Sequence, residues 1–66
     1  MKTLTVNGQT QELAVATVDE LLQQLQLAQS QVAVELNGTI VSREAFGDTP
    51  LQEGDHLEIV RFVGGG

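Results

Sequence analysis

His56-Leu57-Glu58-Ile59-Val60-Arg61-Phe62-Val63 is an apolar, strand-like run, and Gly64-Gly65-Gly66 follows it directly. Side chains alternate along a strand. If Leu57 and Ile59 face a core, Val60 and Phe62 therefore lie on the far side. The glycines have no side chains to pack and lose the most entropy on ordering. They are expected to project as a mobile thread ending in a free carboxylate rather than to complete the fold. Fully extended, three residues reach roughly 10 Å, and so thin a thread can enter a narrow channel in another protein. The expected organisation is one domain over residues 1–63 and a flexible tail over 64–66. A frayed end or an expression remnant is the bland alternative.

Composition narrows the classes of function. Sixty-six residues make one small core, with about 60% of the unfolded surface buried. A hydrophobic content of 41% suits a globular domain and argues against a disordered acidic tail. No apolar run approaches the ~20 residues of a membrane span, and Met1-Lys2-Thr3 opens no signal-peptide pattern. The chain has no cysteine. That removes disulfides, thiolate metal sites and a cysteine nucleophile, and it agrees with a cytoplasmic location. The net charge is -6, and the basic residues are Lys2, Arg43 and Arg61. Three cations cannot form the basic patch that nucleic-acid binding needs. The acidic balance serves solubility or steers the chain toward basic partners.

The remaining elements can be read in order. Lys2-Thr3-Leu4-Thr5-Val6 alternates with period two, Asn7-Gly8 suits a type I′ turn, and Gln9 to Leu13 returns as a second strand. Thr17-Val18-Asp19-Glu20 has the spacing of a capping box. Val18, Leu21, Leu22 and Leu25 then form one apolar helical stripe, predicting a helix that ends near Leu27 or Ala28, with Gln29-Ser30-Gln31 as connector. Val32 to Leu36 is a third strand with Val32, Val34 and Leu36 on one face and Ala33 and Glu35 on the other. Asn37-Gly38 is a second I′ candidate before Thr39-Ile40-Val41. Ser42 to Phe46 is a loop or single helical turn anchored by Phe46. Gly47-Asp48-Thr49-Pro50 breaks the chain, and Leu51 to Asp55 turns with Gly54 as its left-handed position.

Hairpin, helix, hairpin, loop and strand together predict an α+β fold, a mixed sheet of four or five strands with one helix across one face. Its stripe should cover Leu4, Val6, Val34, Leu36, Leu57 and Ile59. The architecture that fits is the β-grasp, or ubiquitin-like, fold, in which the first and last strands lie parallel and adjacent. Val60, Phe62 and Val63 then offer an apolar partner surface beside the tail. A bulge that tucks Phe62 into the core edge is the alternative. His56 has no serine or cysteine pattern around it and reads as a surface residue. The carboxylates show no metal or acid–base spacing, and no phosphate-binding loop motif occurs. No cofactor is therefore expected on the chain itself. The chemically distinctive group is the carboxylate of Gly66.

The ordered set Asn7-Gly8, Thr17-Val18-Asp19-Glu20-Leu21-Leu22, Val32 through Glu44, Gly54 through Val60 and the Gly-Gly end resembles the ThiS family, the small sulfur carriers of thiamin biosynthesis. The resemblance covers nearly the whole chain. It implies a protein co-substrate rather than an enzyme. Gly66 would be adenylated by an E1-like, ThiF-type adenylyltransferase using ATP and converted to a thiocarboxylate with sulfur from an enzyme such as a cysteine desulfurase. Sulfur would then pass to a ThiG-type thiazole synthase. Gly65 and Gly66 match the family's terminal pair, and Gly64 is an additional glycine before it. Gly64, Gly65 and Gly66 are the tail expected to enter partner active sites, with Gly64 either entering the channel or only hinging it. Carriers for molybdopterin synthesis or tRNA thiolation, and ubiquitin-like protein modifiers, share the fold and the Gly-Gly end. The short length and the Asn37–Glu44 stretch favour the thiamin carrier.

Overall fold

A computed structural model describes residues 1–62; Val63, Gly64, Gly65 and Gly66 lie outside the described residues. Strands β1 (Lys2–Val6) and β2 (Gln9–Leu13) form the first hairpin. Helix α1 (Val18–Gln24) follows, then strands β3 (Val32–Leu36) and β4 (Thr39–Val41), and finally β5 (His56–Arg61). The order across the sheet is β2-β1-β5-β3-β4. β1 and β5 run parallel, with Thr5 opposite His56 and Val6 opposite Leu57. The other pairings are antiparallel. This is the expected mixed sheet with one main helix.

Both Asn-Gly pairs make I′ turns. Asn7 and Gly8 have φ 50 and 83, and Asn37 and Gly38 have φ 51 and 87. Positive φ at both central positions matches the twist of the flanking strands. Each asparagine also does something the turn reading did not foresee. The Asn7 side chain accepts from Ile59 N–H at 2.7 Å and donates to the Ile59 carbonyl at 3.1 Å, while Asn7 N–H donates to the Leu57 carbonyl at 2.9 Å. Asn37 accepts from His56 N–H at 2.9 Å and donates to Asp55 Oδ1 at 3.0 Å. Its own N–H donates to the His56 carbonyl at 2.7 Å. Both turns are thus stitched to β5 through a side-chain amide that imitates the backbone.

The helix starts as its sequence predicts, with Thr17 Oγ1 accepting from Glu20 N–H at 3.2 Å. Glu20 reaches back one residue further than in the standard box, to Ala16 N–H at 2.8 Å. Val18 N–H, one of the donors a helix start leaves unpaired, donates to the Thr49 carbonyl at 3.1 Å. The helix ends at Gln24 rather than near Leu27 or Ala28. Gln26 turns left-handed at φ 61. Gln26 N–H then donates to the Gln23 carbonyl and Leu27 N–H to that of Leu22. That is the Schellman pattern, formed here without the glycine that would have signalled it.

Leu4, Val6, Val34, Leu57 and Ile59 from the sheet are buried with Val18, Leu21 and Leu22 from the helix. Leu36 and Leu25 pack at the margin, only partly buried. Phe46 anchors the 3-10 segment Arg43–Asp48 at 1% exposure, and Val15, Val32 and Leu51 complete the core.

Two stability predictions follow from these turns. A left-handed residue with a Cβ costs roughly 1–2 kcal/mol, part of which glycine returns through its unfolded-state entropy. Gln26→Gly should therefore raise stability by about 0.5–1 kcal/mol, read as a higher urea midpoint at unchanged slope. A lower midpoint would contradict this. Asn7→Gly keeps the positive φ and removes only the side-chain amide, leaving part-buried Ile59 groups unpaired. It should cost about 1–3 kcal/mol. Asn37→Gly removes exposed bonds and should cost less in the same urea titration; equal losses would count against a distinct role for Asn7.

Candidate functional site

Alternation along β5 divides its side chains between two surfaces. Leu57 and Ile59 face the helix at 1% and 8% exposure, while Val60 stands on the opposite face at 58%. Phe62 lies one residue past the strand at 54%. The β3–β5 register runs unbroken from Leu36–Leu57 to Val32–Arg61, and Phe62 N–H donates to the Gln31 carbonyl at 2.8 Å. No bulge intervenes, so Phe62 is not folded into the core. Its ring occupies the end of the outer face, where the chain leaves the sheet.

Ala33 is exposed on that same face, directly opposite Val60. Ile40, opposite Glu35 in the β3–β4 ladder, is 73% exposed. Sequence reading missed Ile40. Pairing the short strand Thr39–Val41 against Val34–Leu36 by alternation would have placed it beside Glu35, away from the core. Val60 and Phe62 therefore belong to a longer apolar strip than expected. Val63, the third residue expected at the interface, lies outside the described residues. So do Gly64, Gly65 and Gly66, which were expected to enter partner sites.

His56 is exposed and begins β5. Its backbone is held by Asn37, and it joins no cluster. Among the described residues no group of three or more histidines and carboxylates is placed to hold a metal ion. No helix among them is long and apolar enough to cross a membrane. What the described residues offer is a firm mount. β5 is hydrogen-bonded on both sides through Ile59 and still bonded on the β3 side at Phe62, and positions 63–66 follow at once.

The model of the ThiS family matches residues 4–66. A thiazole synthase from Magnetococcus marinus is 47% identical over 53 residues, which are 80% of this chain but 16% of that protein. The chain therefore spans less than a fifth of that relative's length. The sulfur carrier protein ThiS of Bacillus subtilis is 42% identical over 50 residues, 76% of each chain. Among solved structures, the crystal structure of the thiamine biosynthesis protein ThiS from Geobacter metallireducens superposes with a TM-score of 0.80 at 46% identity. That similarity covers 97% of this chain and 99% of the other. The mixed sheet with parallel first and last strands and one crossing helix is thus the ubiquitin-like β-grasp of that protein, and the chain belongs to the ThiS family.

Proposed function

We propose that the chain is a sulfur carrier for thiazole formation in thiamin biosynthesis, with the carboxylate of Gly66 as its working group. The observation that carries this reading is the family match through residue 66, the glycine end included. The curated relative of similar size, itself named a sulfur carrier, supports it.

A carboxylate resists nucleophiles until it bears a leaving group. In an E1-like, ThiF-type adenylyltransferase, a Gly66 oxygen attacks the α-phosphorus of ATP. The acyl–O–P linkage forms as pyrophosphate leaves. Sulfur arrives as a persulfide made by a cysteine desulfurase. The terminal sulfur attacks the acyl carbon and AMP departs. A thiol then cleaves the S–S bond and is oxidised to a disulfide, which leaves the thiocarboxylate. Thiazole synthase takes sulfur from that group. ATP is the partner's substrate and is not held by this chain.

The sequence of the chain's end suits such a path. Gly64, Gly65 and Gly66 present no side chain to narrow the approach of the acyl carbon to a phosphate in a closed, dry pocket. The absence of cysteine leaves no thiol on the chain to compete for the activated acyl group. Similarity to a segment of a thiazole synthase supports thiazole synthase as the acceptor. In that relative, a carrier-like segment shares one chain with the enzyme, an arrangement that raises effective concentration. Val60, Phe62 and Val63 form the proposed docking surface beside the glycines.

Deleting Gly66, or Gly66→Ala, should abolish thiamin-independent growth of a strain lacking its own carrier, while thermal unfolding of the purified chain stays unchanged. Growth at the wild-type rate, or a stability loss of the several kcal/mol seen on core truncation, would contradict this. Phe62→Asp should weaken partner binding by about tenfold or more, because a charge is buried against an apolar surface. Its effect on folding should stay within about 0.5 kcal/mol, as for other exposed positions. Unfolding of that variant would instead place Phe62 in the core.

A further inference from the structure

The outer face of β4, β3 and β5 carries a feature that sulfur carriage at Gly66 does not use. Glu35 and Glu58 are directly opposite one another in the β3–β5 ladder, and both are exposed. Opposed residues hold their Cβ atoms about 4.5–5.5 Å apart, and like charges placed so repel. Among the described residues, no lysine or arginine is a register neighbour of the pair on this face; those neighbours are His56, Ala33, Val60 and Ile40. Lys2 Nζ donates to the Val15 carbonyl at 3.0 Å. Arg61 is paired with buried Val32, on the opposite alternation, and Arg43 lies in the 3-10 segment after β4.

The apolar residues surround this rung in order. Ile40 flanks Glu35 on the β4 side. Ala33 and Val60 form the next outward rung, about 7 Å along the strands, and Phe62 lies beyond it. Carboxylates set in a strip of exposed apolar side chains repel each other in the free chain. With both ionised, a cation placed between them relieves the repulsion.

We propose that Glu35 and Glu58 together receive an arginine from the protein that activates Gly66, whose apolar side chains cover Ile40, Ala33, Val60 and Phe62. The identity of that partner rests on the carrier reading above. Guanidinium is the fitting group because its planar fork of donors can engage two carboxylates at once, whereas ammonium is a single point charge. A second copy of this chain does not fit, since it would lay carboxylates on carboxylates and bring together two chains of net charge -6. Geometry fits the activating enzyme, which must hold Gly66 itself. Residues 63–66 span at most about 14 Å from Phe62, so whatever holds Gly66 must lie against this end of the sheet.

The test is calorimetric titration of the full chain into the E1-like adenylating enzyme of the same organism. Three forms are compared: wild type, Glu35→Gln/Glu58→Gln, and a control of equal charge change, Glu12→Gln/Glu44→Gln. The first pair should weaken binding by about tenfold or more and the control by less than about threefold. The difference should shrink as salt is raised. The free Glu35→Gln/Glu58→Gln chain should melt at or above the wild-type temperature, because a repulsion is removed. Affinity within twofold of wild type, an equal loss in the control, a lowered melting temperature, or no binding by the wild type would each overturn the proposal. Loading of wild-type Gly66, read by mass in parallel, separates the two readings. Loading with an unimpaired Glu35→Gln/Glu58→Gln chain sinks only the arginine receptor, whereas neither loading nor binding sinks both.

Discussion

β5 is held from both edges, and its two asparagine clamps extend that hold past the point where its neighbours end. β1 contributes only two paired residues to the parallel ladder, Thr5 and Val6. The Asn7 amide then takes over and occupies both hydrogen-bonding groups of Ile59. On the other side β3 runs opposite β5 for its whole length, and Asn37 secures the start of the strand at His56. Unpaired backbone groups in a half-buried strand cost as much as lost hydrogen bonds. A central strand this well satisfied is therefore fixed in register. Register in turn decides which side chains face the helix and which face out. Leu57 and Ile59 enter the core, and Glu58 and Val60 cannot.

Much of this was legible in the sequence because the signals were local. Period-two alternation located the strands, the Thr17–Glu20 spacing located the helix start, and both Asn-Gly pairs located their turns. Phe46 stood out as an aromatic in a polar loop and proved to be core. What escaped was non-local or carried by an unusual residue. The contact of Asn7 with Ile59 spans 52 positions, and nothing in either neighbourhood announces it. The helix stop depends on glutamine accepting a left-handed conformation, where the common signal is glycine. Leu51 lay in what read as a turn, and the non-local pairing of its segment, with Leu51 N–H on the Ala16 carbonyl and Pro50 bridged to Thr17, draws it into the core. At the outer face, Val60 and Phe62 were readable from alternation along one strand. Ile40 and the opposition of Glu35 to Glu58 required knowing which strands are neighbours.

The body and the end of the chain divide the work. Among the described residues, the body offers surface rather than chemistry. It has a fixed sheet, an apolar strip and an uncompensated pair of carboxylates. These are the features on which the proposed docking rests. Gly64, Gly65 and Gly66 follow the body in the sequence, and under the proposed function the last of them carries the chemistry. A strand fixed up to Phe62 presents its outer face to a partner already ordered, which favours binding.

Intact-mass measurement of the chain after incubation with the E1-like enzyme, ATP and a sulfur donor bears most directly on sulfur carriage at Gly66. A gain equal to the replacement of one oxygen by sulfur, confined to the C-terminal peptide and dependent on ATP, is the expected result. An unchanged mass, with an enzyme shown to be active and a chain shown to end at Gly66, would contradict it.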